Sequence, residues 1–198
     1  MASLWRPADP LLLASTSPTR RMLLESASLP VETEAPGIDE RAMAAPPREL
    51  ARRLAAEKAL AVSRRRAARV VVGADQVLEL DGTAMHKPVD RAAAQRQIAR
   101  LAGRTHALHS AFAVARDGEV VGEGLGTAHL TMRALDQEAI GRYLDAAGEA
   151  VTQSVGGYRL EGVGVHLFER VEGDHATILG LPLLALLAAL RRLGLLAL

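Results

Sequence analysis

The pattern of hydrophobic and polar residues changes its period along the chain, and these changes predict strands interleaved with helices. Short apolar runs bounded by polar residues or glycine predict buried strands, and two longer alternating stretches around Asp117-Gly118 predict a hairpin. The predicted strands cover residues 11–14, 31–35, 70–72, 77–80, 105–115, 119–131, 163–168 and the segment around Val171.

Helix starts are indicated by capping residues that precede amphipathic runs. Serines stand directly before Pro18, and because proline is favoured in the first helical turn, a helix is predicted there. The longest predicted helix starts at Pro46-Pro47 and ends near the arginines at 64–66. The others start at Asp90, at Asp136 and after Pro182. This order predicts an α/β fold, with a mixed, twisted sheet flanked by helices in a single domain over residues 1–198.

Composition and charge narrow the range of partners. The chain has 198 residues and a formal net charge of +1, which argues against a general nucleic-acid binder because such proteins carry a basic excess. It contains no cysteine, which excludes disulfides, thiolate nucleophiles and cysteine-based metal sites. We therefore expect a cytoplasmic protein that has no nucleic-acid partner.

Neither end of the chain predicts a membrane segment. The apolar run at residues 11–14 is too short for the core of a secretory leader. The apolar stretch at residues 181–198 is split by Arg191 and Arg192, so it falls short of the ~20 apolar residues that span a bilayer. We expect this stretch to form a buried helix that covers a dimer contact.

Lysine is rare in this chain. Of 24 basic residues only Lys58 and Lys87 are lysines, and all the others are arginines. Where arginine is the default cation, a lysine is a candidate for a site that needs a compact ammonium group. The alternative is that both lysines survive by chance, and composition leaves the choice open.

The junction between the first predicted strand and the first helix is a candidate anion site. Ser15, Ser17 and Arg20 lie there, beside the free N–H groups of the predicted helix start. Hydroxyls, a guanidinium and the positive end of a helix together suit phosphate. The alternative is an ordinary serine cap with exposed arginines.

Asp75 is the candidate for acid–base or metal chemistry. It follows the apolar run at residues 70–72, so we expect it at the end of a buried strand, where ligands bind in open α/β sheets. A carboxylate there can hold a divalent metal or accept a proton from water; the alternative is a turn cap. Lys87 follows closely enough to reach the same phosphates. By spacing alone, Glu40 and Lys58 are solvated residues of a loop and a helix surface.

Glycines are dense at residues 156–162, and Glu161 stands among them. Such a segment allows the backbone to approach a ligand closely, and the alternative is a simple turn. In order along the chain, LLLASTSPTRRMLLE, VVVGADQV, HKPVD and GGYRLEGVGVHLFERVEGDHATILGLPL resemble the Maf family of nucleoside triphosphate pyrophosphatases. The similarity spans residues 11–190.

The resemblance implies a fold, a reaction and a set of roles. It implies an elongated homodimeric α/β protein that binds a nucleoside triphosphate in a cleft between two lobes and cleaves the bond between its α and β phosphates. Asp75 would accept a proton from water and, together with Glu40, hold Mg²⁺ or Mn²⁺. The groups that would line the triphosphate are Ser15, Ser17, Arg20, Lys58 and Lys87.

The resemblance also implies which nucleobase the triphosphate carries. Thr19, Gln76 and Glu161 occupy the positions that differ between branches of the family, and Gln76 with Glu161 resembles the branch that acts on 7-methyl-GTP. A carboxylate can accept hydrogen bonds from guanine N1–H and the 2-amino group, and it favours the cationic methylated ring. The alternatives are a dTTP/UTP pyrophosphatase of the same family, a nucleotide-binding regulator of septation, and a catalytically silent interaction protein.

Overall fold

The computed structural model describes residues 4–198 and contains one open, mixed sheet of seven strands. The strands β1 to β7 are Leu11–Ala14, Val31–Thr33, Val71–Leu80, Thr83–Met85, Thr105–Arg116, Glu119–Met132 and Phe168–Glu172. Their spatial order is β2-β1-β3-β5-β6-β7, and β4 pairs with β3. β1 is parallel to β2 and β3, whereas the other pairings are antiparallel, so the predicted mixed sheet is confirmed.

Helices flank this sheet and start where the capping residues predict. Ser17, Asp90 and Asp136 each accept a hydrogen bond from a backbone N–H in the first turn that follows. The helices α1 to α6 are Pro18–Ser26, Pro47–Ser63, Arg91–Leu101, Gln137–Ala147, His175–Ile178 and Leu183–Arg192. Short 3₁₀ helices form at Glu40–Ala42, Gly148–Thr152, Val155–Gly157 and Val163–Leu167.

The central strand corrects one prediction. Residues 70–72 and 77–80 belong to a single strand, β3, so Asp75 lies in the middle of a strand and not at its end. Gly73 lies inside this strand, where a Cβ atom would stand 2.2 Å from the carbonyl oxygen of Ala55 in α2. Glycine is needed because α2 crosses the strand at this point.

A second correction concerns residues 163–168. Val163–Leu167 is a 3₁₀ helix, and the strand begins only at Phe168. The chain folds back on itself here, since a Cβ atom on Gly164 would lie 2.3 Å from the carbonyl oxygen of Arg159. The strand predicted around Val171 is confirmed within β7, and the strand predicted at residues 31–35 is confirmed but ends at Thr33.

Hydrophobic clusters cover both faces of the sheet. On one face, Leu78 packs in a cluster with residues of α3 and α4, and Phe112 packs in another with residues of α1 and α6. On the opposite face, Val77 packs against α2. Gln76 and Ser110 pair across β3 and β5 between the first two clusters. The sheet thus carries two cores on one face with polar residues between them; a division into two lobes stays a prediction.

The edge of β3 is interrupted. β1 pairs with this edge as far as Gly73, and β4 pairs with it from Leu78 onward. Because β5 pairs with the other edge from Val71 to Glu79, β1 and β4 lie on the same side. Among the described strands, residues 74–77 therefore have no partner on that side, and an opening separates β1 from β4.

The C-terminal helix is present as predicted, but only one of its faces is buried, and Leu184 on the other face is exposed. Leu186 and Leu190 of α6 are fully covered within the cluster that contains Phe112. Across residues 4–198, none of the helices has the length and apolar character required to cross a membrane.

Candidate active site

An ion-pair cluster lies at the interrupted edge of β3. The ammonium Nζ of Lys58 is 2.5 Å from Oδ1 of Asp75 and 2.8 Å from Oε1 of Glu40. Only 7% of the Lys58 side chain and 9% of the Asp75 side chain are exposed, whereas 52% of Glu40 is exposed. The ammonium therefore joins a buried carboxylate to one that faces solvent.

The burial of Lys58 follows from the pattern of α2. Leu50, Leu54, Lys58 and Val62 recur at four-residue intervals and all lie on the buried face of the helix. The expectation from spacing alone, a solvated helix-surface lysine, is wrong. That interval was the signal in the sequence: a lysine within a series of buried positions needs a partner for its charge. Gly73 allows α2 to come close enough for Lys58 to reach that partner.

Arg20 is held in the first turn of α1 by backbone carbonyls. Its Nε donates to the carbonyl oxygen of Gly180 at 2.9 Å, and its Nη1 donates to the carbonyl oxygen of Ala74 at 2.9 Å. A longer contact of 3.4 Å joins Nη1 to Oγ of Ser15. Burial lowers the pKa of Arg20, while the negative charge of Asp75 raises it. These contacts fix the guanidinium beside the catalytic candidate.

The two serines shape the start of α1. Oγ of Ser15 accepts a hydrogen bond from the backbone N–H of Ser17 at 3.1 Å. Oγ of Ser17 accepts one from the backbone N–H of Arg20 at 3.4 Å. The cap predicted from the sequence is therefore present, and it lies against the guanidinium that completes the candidate anion site.

Lys87 lies on the far side of the opening, two residues after β4. Partial burial lowers the pKa of its ammonium group, and the charges of Arg20 and Lys58 lower it further. Glu40 and Asp75 raise it. The charges of all the other members of the cluster thus act on the pKa of Lys87. Three cations and two carboxylates border the opening.

The donor set fits a metal ion that arrives with phosphates. Within residues 4–198, no three His, Cys, Asp or Glu side chains are grouped so that they could hold a metal by themselves. Asp75 and Glu40, which share Lys58, supply hard carboxylate oxygens. Mg²⁺ is commonly held by one or two carboxylates together with substrate phosphate oxygens, so a pair of carboxylates meets this requirement.

The three predicted base-specificity residues are not gathered at one point. Thr19 is partly buried in the first turn of α1, next to Arg20. Glu161 is exposed and lines a cavity of about 210 Å³ with Tyr143, Arg159 and Gly162 among others. Gln76 points to the face of the sheet opposite Asp75, because adjacent residues of a strand alternate. A role for these residues in base choice stays a prediction.

Sequence reasoning did not single out several groups that contact this site. The carbonyl oxygens of Ala74 and Gly180 bind Arg20, and Ser110 and Thr177 surround the amide of Gln76. A signal for Gly180 and Thr177 was present in the segment GDHATILGLPL, which belongs to the motifs quoted above. A backbone carbonyl carries no residue-type signature, so these partners required the structure.

Three cations and two carboxylates at an interrupted sheet edge form a candidate phosphate site in this α/β protein. The family profile described as "Maf-like protein" matches residues 10–193. The chain therefore belongs to the Maf family.

Relatives support this assignment over nearly the full length. A nucleoside triphosphate pyrophosphatase of Nitrobacter winogradskyi is 53% identical over 201 residues, which cover 99% of this chain and 100% of the relative. A protein of the same name from Rhodopseudomonas palustris is 50% identical, covering 98% and 99%. A 7-methyl-GTP pyrophosphatase of Brucella abortus is 47% identical over 189 residues, covering 92% and 95%.

Proposed function

We propose that this chain is a nucleoside triphosphate pyrophosphatase that cleaves the bond between the α and β phosphates and prefers 7-methyl-GTP. The observation that carries the proposal is the pair formed by Lys58 and Asp75 at the opening, bordered by Arg20 and Lys87. Relatives at about 50% identity over the full chain share the pyrophosphatase name. The biological task would be to remove modified nucleotides before polymerases use them.

Binding of the triphosphate is assigned to the cations at the opening. Arg20 and Lys87 face the opening from opposite sides, and Ser15 and Ser17 form the start of α1 beside them. Cleavage at the α phosphorus requires mainly positioning of the triphosphate and neutralisation of the negative charge on the phosphate oxygens and the departing pyrophosphate. Arg20 at the start of α1 and Lys87 after β4 supply both.

Asp75 is assigned the role of proton acceptor. A water molecule attacks the α phosphorus, its proton passes to the Asp75 carboxylate, and the bond to the bridging oxygen breaks. The products are a nucleoside monophosphate and pyrophosphate. Lys58 holds Oδ1 of Asp75 at 2.5 Å and so fixes the orientation of the carboxylate. Asp75 and Glu40 would hold Mg²⁺ or Mn²⁺, which when bound neutralises charge on the phosphates.

Of the three residues expected to set base preference, Thr19 and Glu161 are assigned this role. A carboxylate at position 161 matches the hydrogen-bond donors of guanine and the positive charge of its 7-methylated ring. The relative from Brucella abortus that carries the 7-methyl-GTP name supports this choice. We also propose that the enzyme acts in the cytoplasm and that it is a homodimer. Sedimentation analysis of the purified protein would test the oligomeric state.

The decisive experiment measures pyrophosphate release from 7-methyl-GTP, dTTP, UTP, CTP and pseudouridine triphosphate with Mg²⁺ or Mn²⁺. The wild type should release pyrophosphate and Asp75→Asn should release almost none. Asp145→Asn is the matched control, because Asp145 is an exposed carboxylate of α4 that pairs with Arg91. Equal release by wild type and Asp75→Asn would refute the assignment.

Base preference has its own test. Glu161→Gln should lower the ratio of 7-methyl-GTP turnover to dTTP turnover, because a neutral amide loses the attraction for the cationic ring. Glu138→Gln is the control, since Glu138 is an exposed carboxylate that pairs with Arg142 on α4. An unchanged ratio in Glu161→Gln would remove 7-methyl-GTP as the assigned substrate and leave the pyrophosphatase activity intact.

A further inference from the structure

We propose that Gln76 is a positioning residue: it fixes the segment at residues 174–180, and through that segment it fixes Arg20. On this view Gln76 influences substrate handling through the phosphate-binding guanidinium and has no contact with the base. The inference rests on the proposed function and concerns how one residue of the same site acts.

The amide of Gln76 is occupied by protein atoms. Its Nε2 lies 2.9 Å from Oγ of Ser110, 3.1 Å from the carbonyl oxygen of Thr177 and 2.9 Å from that of Ile178. Oγ of Ser110 donates to the same Thr177 carbonyl at 2.7 Å. Two polar side chains of neighbouring strands therefore hold consecutive carbonyl groups of α5.

The segment at residues 174–180 is tightly packed against the sheet. Oδ2 of Asp174 accepts hydrogen bonds from the backbone N–H of Thr177 at 2.9 Å and from its Oγ1 at 3.0 Å. A Cβ atom on Gly126 of β6 would stand 2.7 Å from Oγ1 of Thr177, so α5 rests directly on the strand. Ser110 and Thr177 are both buried. Asp174 and Thr177 belong to the GDHATILGLPL segment, whose Gly180 carbonyl holds Arg20.

Thr177 connects Gln76 to Arg20. Its carbonyl oxygen also accepts a hydrogen bond from the backbone N–H of Gly180 at 3.1 Å. The carbonyl of Gly180 in turn accepts from Nε of Arg20 at 2.9 Å. Gly180 has a φ of +99°, and a Cβ atom there would lie 3.3 Å from Nε of Arg20, so glycine suits both the turn and the contact.

The contacts close into a ring. Arg20 reaches from the Gly180 carbonyl to the Ala74 carbonyl, and Ala74 stands two residues before Gln76 on β3. Movement of the amide of Gln76 would therefore shift the Gly180 carbonyl relative to Ala74, the two points that orient the guanidinium. Small misplacements of a positioning group cost large factors in rate, so this ring is sufficient to alter turnover.

The alternative is direct contact of Gln76 with the base, and the two routes give different outcomes. Gln76→Met keeps the side-chain length and removes the amide. If Gln76 acts through Arg20, kcat/KM falls about tenfold for 7-methyl-GTP and for dTTP alike, and pyrophosphate binds about tenfold more weakly. In an Arg20→Lys background, which removes the bond between Nε and Gly180, the same change costs less than about threefold.

Pyrophosphate binding is measured by calorimetry, which requires no turnover. Pyrophosphate carries no base, so its affinity reports on the phosphate-binding groups alone. A loss confined to one nucleotide, with unchanged pyrophosphate affinity, would overturn the inference, and so would full additivity with Arg20→Lys. If the proposed function is wrong, the wild type will release no pyrophosphate. The calorimetric comparison still decides whether Gln76 acts through Arg20 or by contact with the base.

A second variant covers the case in which Gln76→Met does not fold by circular dichroism. Ser110→Ala removes the other side-chain donor to the Thr177 carbonyl and keeps the amide of Gln76. It should weaken pyrophosphate binding by a smaller factor and be non-additive with Arg20→Lys in the same way. Unchanged binding in Ser110→Ala, when Gln76→Met is unfolded, would overturn the inference.

Discussion

Lys58 and Asp75 form an ion pair inside the protein, with 2.5 Å between Nζ and Oδ1 and less than a tenth of either side chain exposed. A buried charge is tolerated when its partner is present and becomes strongly destabilising when the partner is removed. The protein therefore tolerates either buried charge only when the other is present. The same pair that orients the catalytic candidate also joins α2 to β3.

Removal of Lys58 should reveal this dependence. Lys58→Met leaves the Asp75 carboxylate buried without its cation, and we expect the free energy of unfolding in urea at pH 7 to fall by about 3 kcal/mol. In Lys58→Met combined with Asp75→Asn, the buried charge is gone, so about 2 kcal/mol of that loss should be regained. Purely additive effects in this double-mutant cycle would contradict the reciprocal requirement.

The compact ammonium group should matter for turnover. In Lys58→Arg and in Lys87→Arg we expect pyrophosphate release to fall by about tenfold or more, because a planar guanidinium fork cannot replace a compact charge in a narrow triphosphate site. Arg142→Lys, on the exposed surface of α4, is the control exchange between the same residue types. Near-normal rates in both lysine variants would make the two lysines chance survivors of the composition.

The close crossing of α2 over β3 gives a prediction about stability. Gly73→Ala places a Cβ atom 2.2 Å from the Ala55 carbonyl oxygen and 2.4 Å from the Ala59 nitrogen, both in the helix backbone. Because backbone cannot rotate away, we expect a loss of about 3 kcal/mol in the free energy of unfolding. Gly141→Ala is the control: its Cβ meets nothing within 4 Å in α4, and it should add about 0.5–1 kcal/mol. Equal effects of the two changes would refute the close crossing.

Stability should depend on pH through His106. Burial lowers the pKa of His106 from 6.5 to about 4, and its Nε2 lies 2.6 Å from the hydroxyl of Tyr158. The unfolded chain takes up a proton below pH 6.5 that the folded protein excludes. The contribution of a neutral His106 is therefore complete above pH 6.5 and declines as pH falls towards 4, by about 3 kcal/mol in total.

Urea unfolding at pH 7.5 and at pH 5 measures this decline. His106→Leu should flatten the difference between the two pH values, whereas His166→Gln, a change at an exposed histidine, should leave it as in the wild type. If the free energy of unfolding changes between pH 7.5 and pH 5 by the same amount in the wild type and in His106→Leu, groups other than His106 cause the pH dependence.

Local sequence patterns were sufficient for most elements of the fold. Ser17, Asp90 and Asp136 cap helices as predicted, because a capping side chain acts on backbone only three residues away. The failures have a common physical origin in glycine. Gly73 lies between two runs predicted as separate strands, and Gly164 lies in a run predicted as a strand. Their missing Cβ atoms allow close backbone approaches, to Ala55 of α2 and to Arg159 respectively, that the hydrophobic pattern does not show.

The site could be predicted only in part for a related reason. Alternation along a single strand at residues 71–80 is enough to place Asp75 and Gln76 on opposite faces. The four-residue interval that ends at Val62 would have shown Lys58 to be buried. The carbonyl groups that orient Arg20, in contrast, come from Ala74 and Gly180 and depend on the tertiary fold. Backbone groups of this kind are invisible to motif analysis.

The interruption between β1 and β4 has a consequence for inhibitor chemistry. Residues 74–77 span about 13 Å of strand edge, and the flanking strands stop at Gly73 and Leu78. Arg20 already holds the Ala74 carbonyl, so a rigid, strand-like scaffold would pair with the remaining backbone groups of this edge, and an anionic group at its end would meet Lys58 and Arg20. Such a compound would complete the sheet in place of the missing strand, so it would compete with nucleotides without resembling one.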